Sequence, residues 1–283
     1  MPTNPNESHA DSSVPMEFYR EILTTLTRDE IPFLLGGGYA LYVVTGVSRM
    51  TKDLDLFLKK SDLPRAIRSL TDAGFQAEVA YSHWLAKAKC GDDFVDLIFS
   101  SGNGRCPVDD LWFQYALEGS CGGIPVKLAP PEEMIWQKAF IMERERFDGA
   151  DIAHLLHVRG RTLNWERLLN RFGDHWRVLL SHLVMFGFIY PGEQSLIPVG
   201  VMHELTDRLR KELDSPLPAD LECAGTLLSR EQFNVDVNEW NYTDARLWPR
   251  GQMTPLQLAE WTPPHALPEA DQPEAGGLEQ IEK

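Results

Sequence analysis

Residues 34–60 read LLGGGYALYVVTGVSRMTKDLDLFLKK and place two aspartates, Asp53 and Asp55, inside an apolar strand shortly after a glycine triplet. Alternate side chains of an extended strand share a face, so both carboxylates point the same way while Leu54, Leu56 and Leu58 pack on the other side. Two parallel carboxylates repel each other, and when partly buried they need a proton or a cation. A divalent metal supplies that cation.

A third carboxylate stands in DFVDLIFS, residues 93–100, where Asp96 has Phe94 and Ile98 on its own face and Val95, Leu97 and Phe99 on the other. A strand apolar on both faces is a central strand, and an aspartate there is costly unless it too meets the metal. If the strand register differs, Asp92 or Asp93 takes its place. Three carboxylates on neighbouring strands can hold two Mg²⁺ ions, with Mn²⁺ as the alternative ion. Gly37 and Gly38, between strand and helix, then have a reason. Without side chains they let phosphate oxygens approach backbone N–H groups at the positive end of a helix. The triplet is not a Walker loop, because no GK[ST] follows.

The rest of the chain limits the function classes. Its 283 residues, 43% hydrophobic, suffice for one large domain or two ordinary ones. The longest apolar runs are interrupted and fall short of the roughly 20 residues of a membrane span, so no membrane association is expected. The N-terminal residues show neither a basic start nor an apolar core of a secretory signal. Cys90, Cys106, Cys121 and Cys223 lack CxxC spacing and suit reduced thiols in a cytoplasmic protein. A formal charge of -15 disfavours a long nucleic acid and leaves a small molecule, a protein or one end of an RNA as partner.

The expected fold class is α+β, a mixed sheet with flanking helices followed by a helical C-terminal half. Residues 1–14 read as a disordered tail, 15–128 as the α/β unit, 129–233 as a helical unit completing the cleft, and 234–283 as an irregular to disordered tail. Within the first unit a helix is expected over 15–28 and another over 61–73, capped by Ser61 and ended by Gly74. Strands are expected at 31–35, 53–58, around 75–82 and 83–90, and at 93–100.

Gly37, Gly38, Tyr39 and Ala40, then Gly46, Arg49, Thr51, Asp53 and Asp55, resemble the GG, G, R-x-T-x-D-x-D signature of the DNA polymerase β-like nucleotidyltransferase superfamily, with Asp96 similar to its third carboxylate. The nearest kinds are toxins of abortive-infection and toxin-antitoxin systems and some antibiotic nucleotidyltransferases. The resemblance covers about residues 31–152. It implies a Mg²⁺-dependent transfer of a nucleoside monophosphate from an NTP to an acceptor hydroxyl, with Asp53, Asp55 and Asp96 as catalytic metal ligands. Gly37, Gly38, Arg49 and Thr51 would bind the nucleotide. The acceptor would be a small molecule, a tRNA end or a protein, and an antitoxin is the further partner of the toxin-like kinds.

In those kinds a K, then R, then D-x-x-D pattern completes the site, and Lys138, Arg146, Asp148 and Asp151 resemble it. Lys138 and Asp151 are thereby implied to contact nucleotide. Helical geometry agrees: at about 100° per residue Lys138 falls amid Met134, Ile135, Ile141 and Met142, and Asp151 falls between Leu155 and Val158. The competing reading is that Lys138 and Asp151 pair with each other or with Glu143 as a structural bridge between domains.

Other features carry bland readings. Residues 143–146, ERER, read as a solvated charge run with Arg146 the exception. His154 and His157 face away from Asp151 and read as surface residues rather than zinc ligands. Trp136, Phe140, Trp165, Trp176 and Phe186 read as packing. The rival to an enzyme is a binding module that keeps the fold with an idle site.

Overall fold

The computed structural model describes residues 16–49, 53–216 and 220–262. The first helix, α1 (Met16–Arg28), buries Phe18, Tyr19, Ile22, Leu23 and Leu26, the face set by their helical spacing. There follow β1 (Leu34–Leu35), α2 (Gly37–Thr45), β2 (Leu54–Phe57), α3 (Leu63–Asp72), β3 (Gln76–Tyr81), β4 (Leu85–Cys90) and β5 (Asp93–Ile98). Helix α3 corrects one expectation. Asp62, not Ser61, precedes its first turn, and Pro64 there supplies a φ ready for the helix. Gly74 stops it with a φ of 98°, as expected of a residue just past a helix end.

After a short α4 (Asp110–Gln114) come β6 (Leu117–Cys121) and β7 (Ile124–Leu128), a hairpin that the sequence reading did not anticipate. Pro125 in β7 and the exposed Glu118 and Lys127 hide its strand character. The seven strands form one mixed sheet in the order β3-β4-β5-β2-β1-β7-β6. Strands β2 and β5 run parallel with Asp55 opposite Asp96. Strand β4 flanks β5 antiparallel on its other edge, so β5 is central, as its two apolar faces predict.

The alternation of β2 and β5 divides the core. Leu54, Leu56, Leu58, Val95, Leu97 and Phe99 pack with α1 and α3 on one face. Phe57, Leu85 and Ile98 pack on the other, with Trp112 and the helices that follow. These are α5 (Pro131–Ala139), α6 (Gly149–Arg159), α7 (Trp165–Phe172), α8 (Trp176–Ile189) and α9 (Val199–Leu213). The helical C-terminal part thus covers the sheet face that carries the aspartates. Trp136, Phe140, Trp176 and Phe186 are buried there, and Trp165 packs against them.

Beyond α9, irregular chain carries β8 (Glu222–Cys223), α10 (Asn234–Asn238), β9 (Thr243–Asp244) and α11 (Pro255–Trp261). No helix among the described residues is long and apolar enough to cross a membrane. All four cysteines are free thiols.

Candidate active site

Strand register builds the site. Asp55 lies beside Asp96 across the parallel β2–β5 pair, and Asp53 precedes Asp55 by one pleat. One carboxylate oxygen from each of the three lies within 4.8 Å of the others, and among the described residues this is the group of acidic, His or Cys side chains placed to share an ion. Asp93, at the start of β5, falls on the opposite face from Asp96, so the register selects Asp96. Burial, then Asp53 and Asp96, push the Asp55 carboxyl up from 3.8 to about 7, against the pull of Lys138 and Arg146. Such a carboxylate is short of positive charge.

Asp96 is also pushed up by burial, and Lys87 opposes the shift. Lys87, directly across the β4–β5 ladder, donates from Nζ to Asp96 Oδ1 at 2.6 Å. Sequence reasoning missed it. In LAKAKC the alternating lysines look like a solvent face, and nothing local says that a carboxylate strand lies alongside.

The glycine loop rests on Asp55. Gly36 donates its N–H to the Asp55 carbonyl at 2.9 Å, and a Cβ at Gly36 would overlap the Phe57 ring. Gly37 has a φ of 54°, and a Cβ there would overlap the Asp55 carboxylate itself. Glycine is therefore required twice at Gly37, for conformation and for space. Gly38 lines the same cleft. The residues fit a divalent ion with phosphates: convergent hard oxygen donors, a carboxyl displaced towards protonation by burial and by its neighbouring carboxylates, and a backbone without side chains next to it.

The facing wall comes from α5, α6 and the loop between them. Lys138, 11% exposed, donates to Asp148 Oδ2 at 2.7 Å and Asp151 Oδ2 at 2.8 Å. Arg146 binds both oxygens of Asp148 at 2.9 Å. Burial pushes the Asp148 carboxyl up, and Arg146 and Lys138 together hold it below its usual value. Arg49 joins the two halves of the chain through Asp151 Oδ1 at 2.8 Å. Its Nη2 stands 3.3 Å from His154 Nδ1, so His154 is half-buried beside the site rather than a plain surface residue. His157 pairs with Glu193 elsewhere. Thr51 lies outside the described residues.

The two walls enclose a cleft of about 1150 Å³, lined by Gly37, Gly38, Arg49 and the three aspartates on one side and by Lys138, Arg146, Asp148 and Asp151 on the other. Residues 226–232 and Trp261 line it as well. That segment is tied to both walls: Asn103 Nδ2 donates to the Leu227 carbonyl at 2.6 Å, and Met142 N–H to the Leu228 carbonyl at 2.8 Å. Glu143 accepts from the Ser229 hydroxyl and from the Arg230 N–H. Glu143 therefore departs from the solvated charge run expected of residues 143–146; Arg144 and Glu145 remain exposed.

Comparison with known proteins places the chain. The sequence pattern of a family described as "Uncharacterised nucleotidyltransferase" matches residues 16–178, more than half of the chain, and the chain belongs to that family. The solution structure of the antibiotic-resistance factor ANT(2'')-Ia is similar at 19% identity and a TM-score of 0.40, over 59% of this chain and 95% of that one. The lincomycin-bound lincosamide antibiotic adenylyltransferase LnuA is similar at 18% identity and a TM-score of 0.37, over 52% and 98%. JHP933 from Helicobacter pylori is similar at 15% identity and a TM-score of 0.36, over 73% and 97%. No curated protein matches the sequence.

Proposed function

We propose that the chain transfers a nucleoside monophosphate from an NTP to an acceptor hydroxyl. The acceptor oxygen bonds to the α-phosphorus, the bond from that phosphorus to the bridging oxygen breaks, and pyrophosphate leaves with it. The observation that carries this reading is the convergence of Asp53, Asp55 and Asp96 beside Gly37 at one end of a cleft. Asp53, Asp55 and Asp96 would hold Mg²⁺, or Mn²⁺ in its place, which when bound activates the attacking oxygen and neutralises the pyrophosphate.

The chain's own groups do the rest. Gly37 and Gly38 present backbone N–H groups to phosphate oxygens. Arg49, Lys138 and Arg146 offset the phosphate charge, with Asp148 and Asp151 holding these cations in a fixed array. Asp96 takes the acceptor proton when it is not engaged as a ligand. Residues 15–128 then form the catalytic unit, and 129–233 complete the cleft. The family description and the cleft's room for a second ligand beside a nucleotide support the reading. A net charge of -15 favours a small acceptor over a long RNA, and the free cysteines favour the cytoplasm.

The test is incubation of the purified chain with each α-labelled NTP, Mg²⁺ and a cell extract, followed by separation of small molecules, RNA and protein. Label is expected in the small-molecule fraction, with Asp53→Ala losing it by about 10³-fold or more. No label in any fraction, with no binding of Mg²⁺-NTP, would overturn the proposal in favour of an idle module.

A further inference from the structure

Lys87 sits midway along β4, opposite Asp96 in the antiparallel pairing. Its Nζ lies 2.6 Å from Asp96 Oδ1 and 4.2 Å from the centre of the Phe94 ring. Phe94 and Asp96 are alternate residues of β5, so carboxylate and ring bracket the ammonium from one strand face. The Lys87 side chain is 26% exposed and that of Asp96 13%. An ammonium gripped in this way is a fixed charge, unlike a surface lysine that exchanges partners with water. With the three carboxylates mutually within 4.8 Å, that charge acts on the whole cluster.

We propose that Lys87 is a built-in cation of the carboxylate cluster, a positioning residue that orients Asp96 and keeps the resting cluster from holding a divalent ion tightly. Ion and triphosphate then load together. The inference rests on reading the cluster as a metal site. It has a sign that a merely structural ion pair lacks. If Lys87 serves only to hold the strands together, removing it loosens Asp96 and leaves metal affinity unchanged or weaker. If it is the cluster's own cation, removing its charge strengthens metal binding.

The experiment is a Mn²⁺ titration of the full chain without nucleotide, with the unbound ion followed by its electron paramagnetic resonance signal. Lys87→Met is expected to bind Mn²⁺ about tenfold more tightly than the wild type, or more. Lys87→Arg, which keeps the charge, is expected to stay near the wild type. Unchanged or weaker binding by Lys87→Met would refute the role of Lys87 while leaving the metal site standing. Mn²⁺ binding that survives Asp53→Asn, or no binding by the wild type with or without NTP, would remove the metal-site reading and the inference with it.

Discussion

The two walls of the cleft handle charge in opposite ways. On the helical wall every ionic group named has partners of the opposite sign: Lys138 with Asp148 and Asp151, Arg146 with Asp148, and Asp151 also with Arg49 from the facing wall. On the sheet wall the strand register forces three carboxylates together with Lys87 paired to Asp96, and burial, then Asp53 and Asp96, displace Asp55 to about 7. The helical wall pairs its charges within the folded chain, whereas the sheet wall gathers three carboxylates against the one ammonium of Lys87, and under the proposed function a bound cation completes it. A fold tolerates such a deficit at the site where a ligand relieves it.

Breaking the paired wall should cost the most in stability. Lys138→Met leaves Asp148 and Asp151 facing each other in a half-buried setting, and a loss of about 3–5 kcal/mol is expected from urea denaturation. A loss below about 1 kcal/mol would mean that this mesh does not hold α5 to α6 and the loop before it.

The sheet wall should instead show its deficit through pH. Folded Asp55 keeps a proton up to about pH 7 that the unfolded chain releases from about 3.8. The metal-free protein should therefore be most favoured, as far as this group is concerned, below pH 3.8 and lose that stability as pH rises to about 7. A shift of this size corresponds to a change on the order of 4 kcal/mol at most. Thermal unfolding from pH 5 to 7.5 should show the decline in the wild type and a flatter profile in Asp55→Asn; parallel profiles would contradict the raised Asp55 carboxyl.

Gly37→Ala sharpens the contrast on a smaller scale. A Cβ in the left-handed region and against Asp55 should cost about 1–3 kcal/mol and weaken Mg²⁺-NTP binding. Full stability and binding in calorimetry would show that the loop has room to spare. Smallest is Arg49→Ala. Arg49 is 40% exposed, so its pair with Asp151 should contribute less than about 1 kcal/mol to stability while NTP affinity falls measurably. A large stability loss with unchanged affinity would assign Arg49 to architecture.

What the sequence disclosed follows from how local each signal is. Asp53, Asp55 and Asp96 were legible because apolar alternation within a single strand fixes the face of each carboxylate. Lys138 and Asp151 were legible only in part. Helix α5 ends at Ala139, short of Ile141 and Met142, and Met142 and Val158 are exposed, so the apolar arcs are narrower than expected. Both charged groups are nevertheless largely buried and find partners. Of their competing reading, the pairing of Lys138 with Asp151 exists but lies within the helical half, and Glu143 binds Ser229 and Arg230 instead. The contact across the halves is Arg49 with Asp151, and these contacts are compatible with a nucleotide role. Lys87 and the wall formed by residues 226–232 were not legible. Both depend on which strand or loop becomes a neighbour, and tertiary contacts such as Lys87 with Asp96 and Asn103 with Leu227 have no local pattern. The β6–β7 hairpin was lost for a related reason, since Pro125 argues against a strand that β1 and β6 nevertheless recruit.

The most direct test of the central claim is calorimetric titration of the purified chain with each NTP, with and without Mg²⁺, alongside Asp53→Ala. The account predicts binding that requires Mg²⁺ in the wild type and is lost in Asp53→Ala while the fold is retained. Equal binding by both proteins, or binding indifferent to Mg²⁺, would contradict the assignment of the three carboxylates as the metal-dependent centre of the cleft.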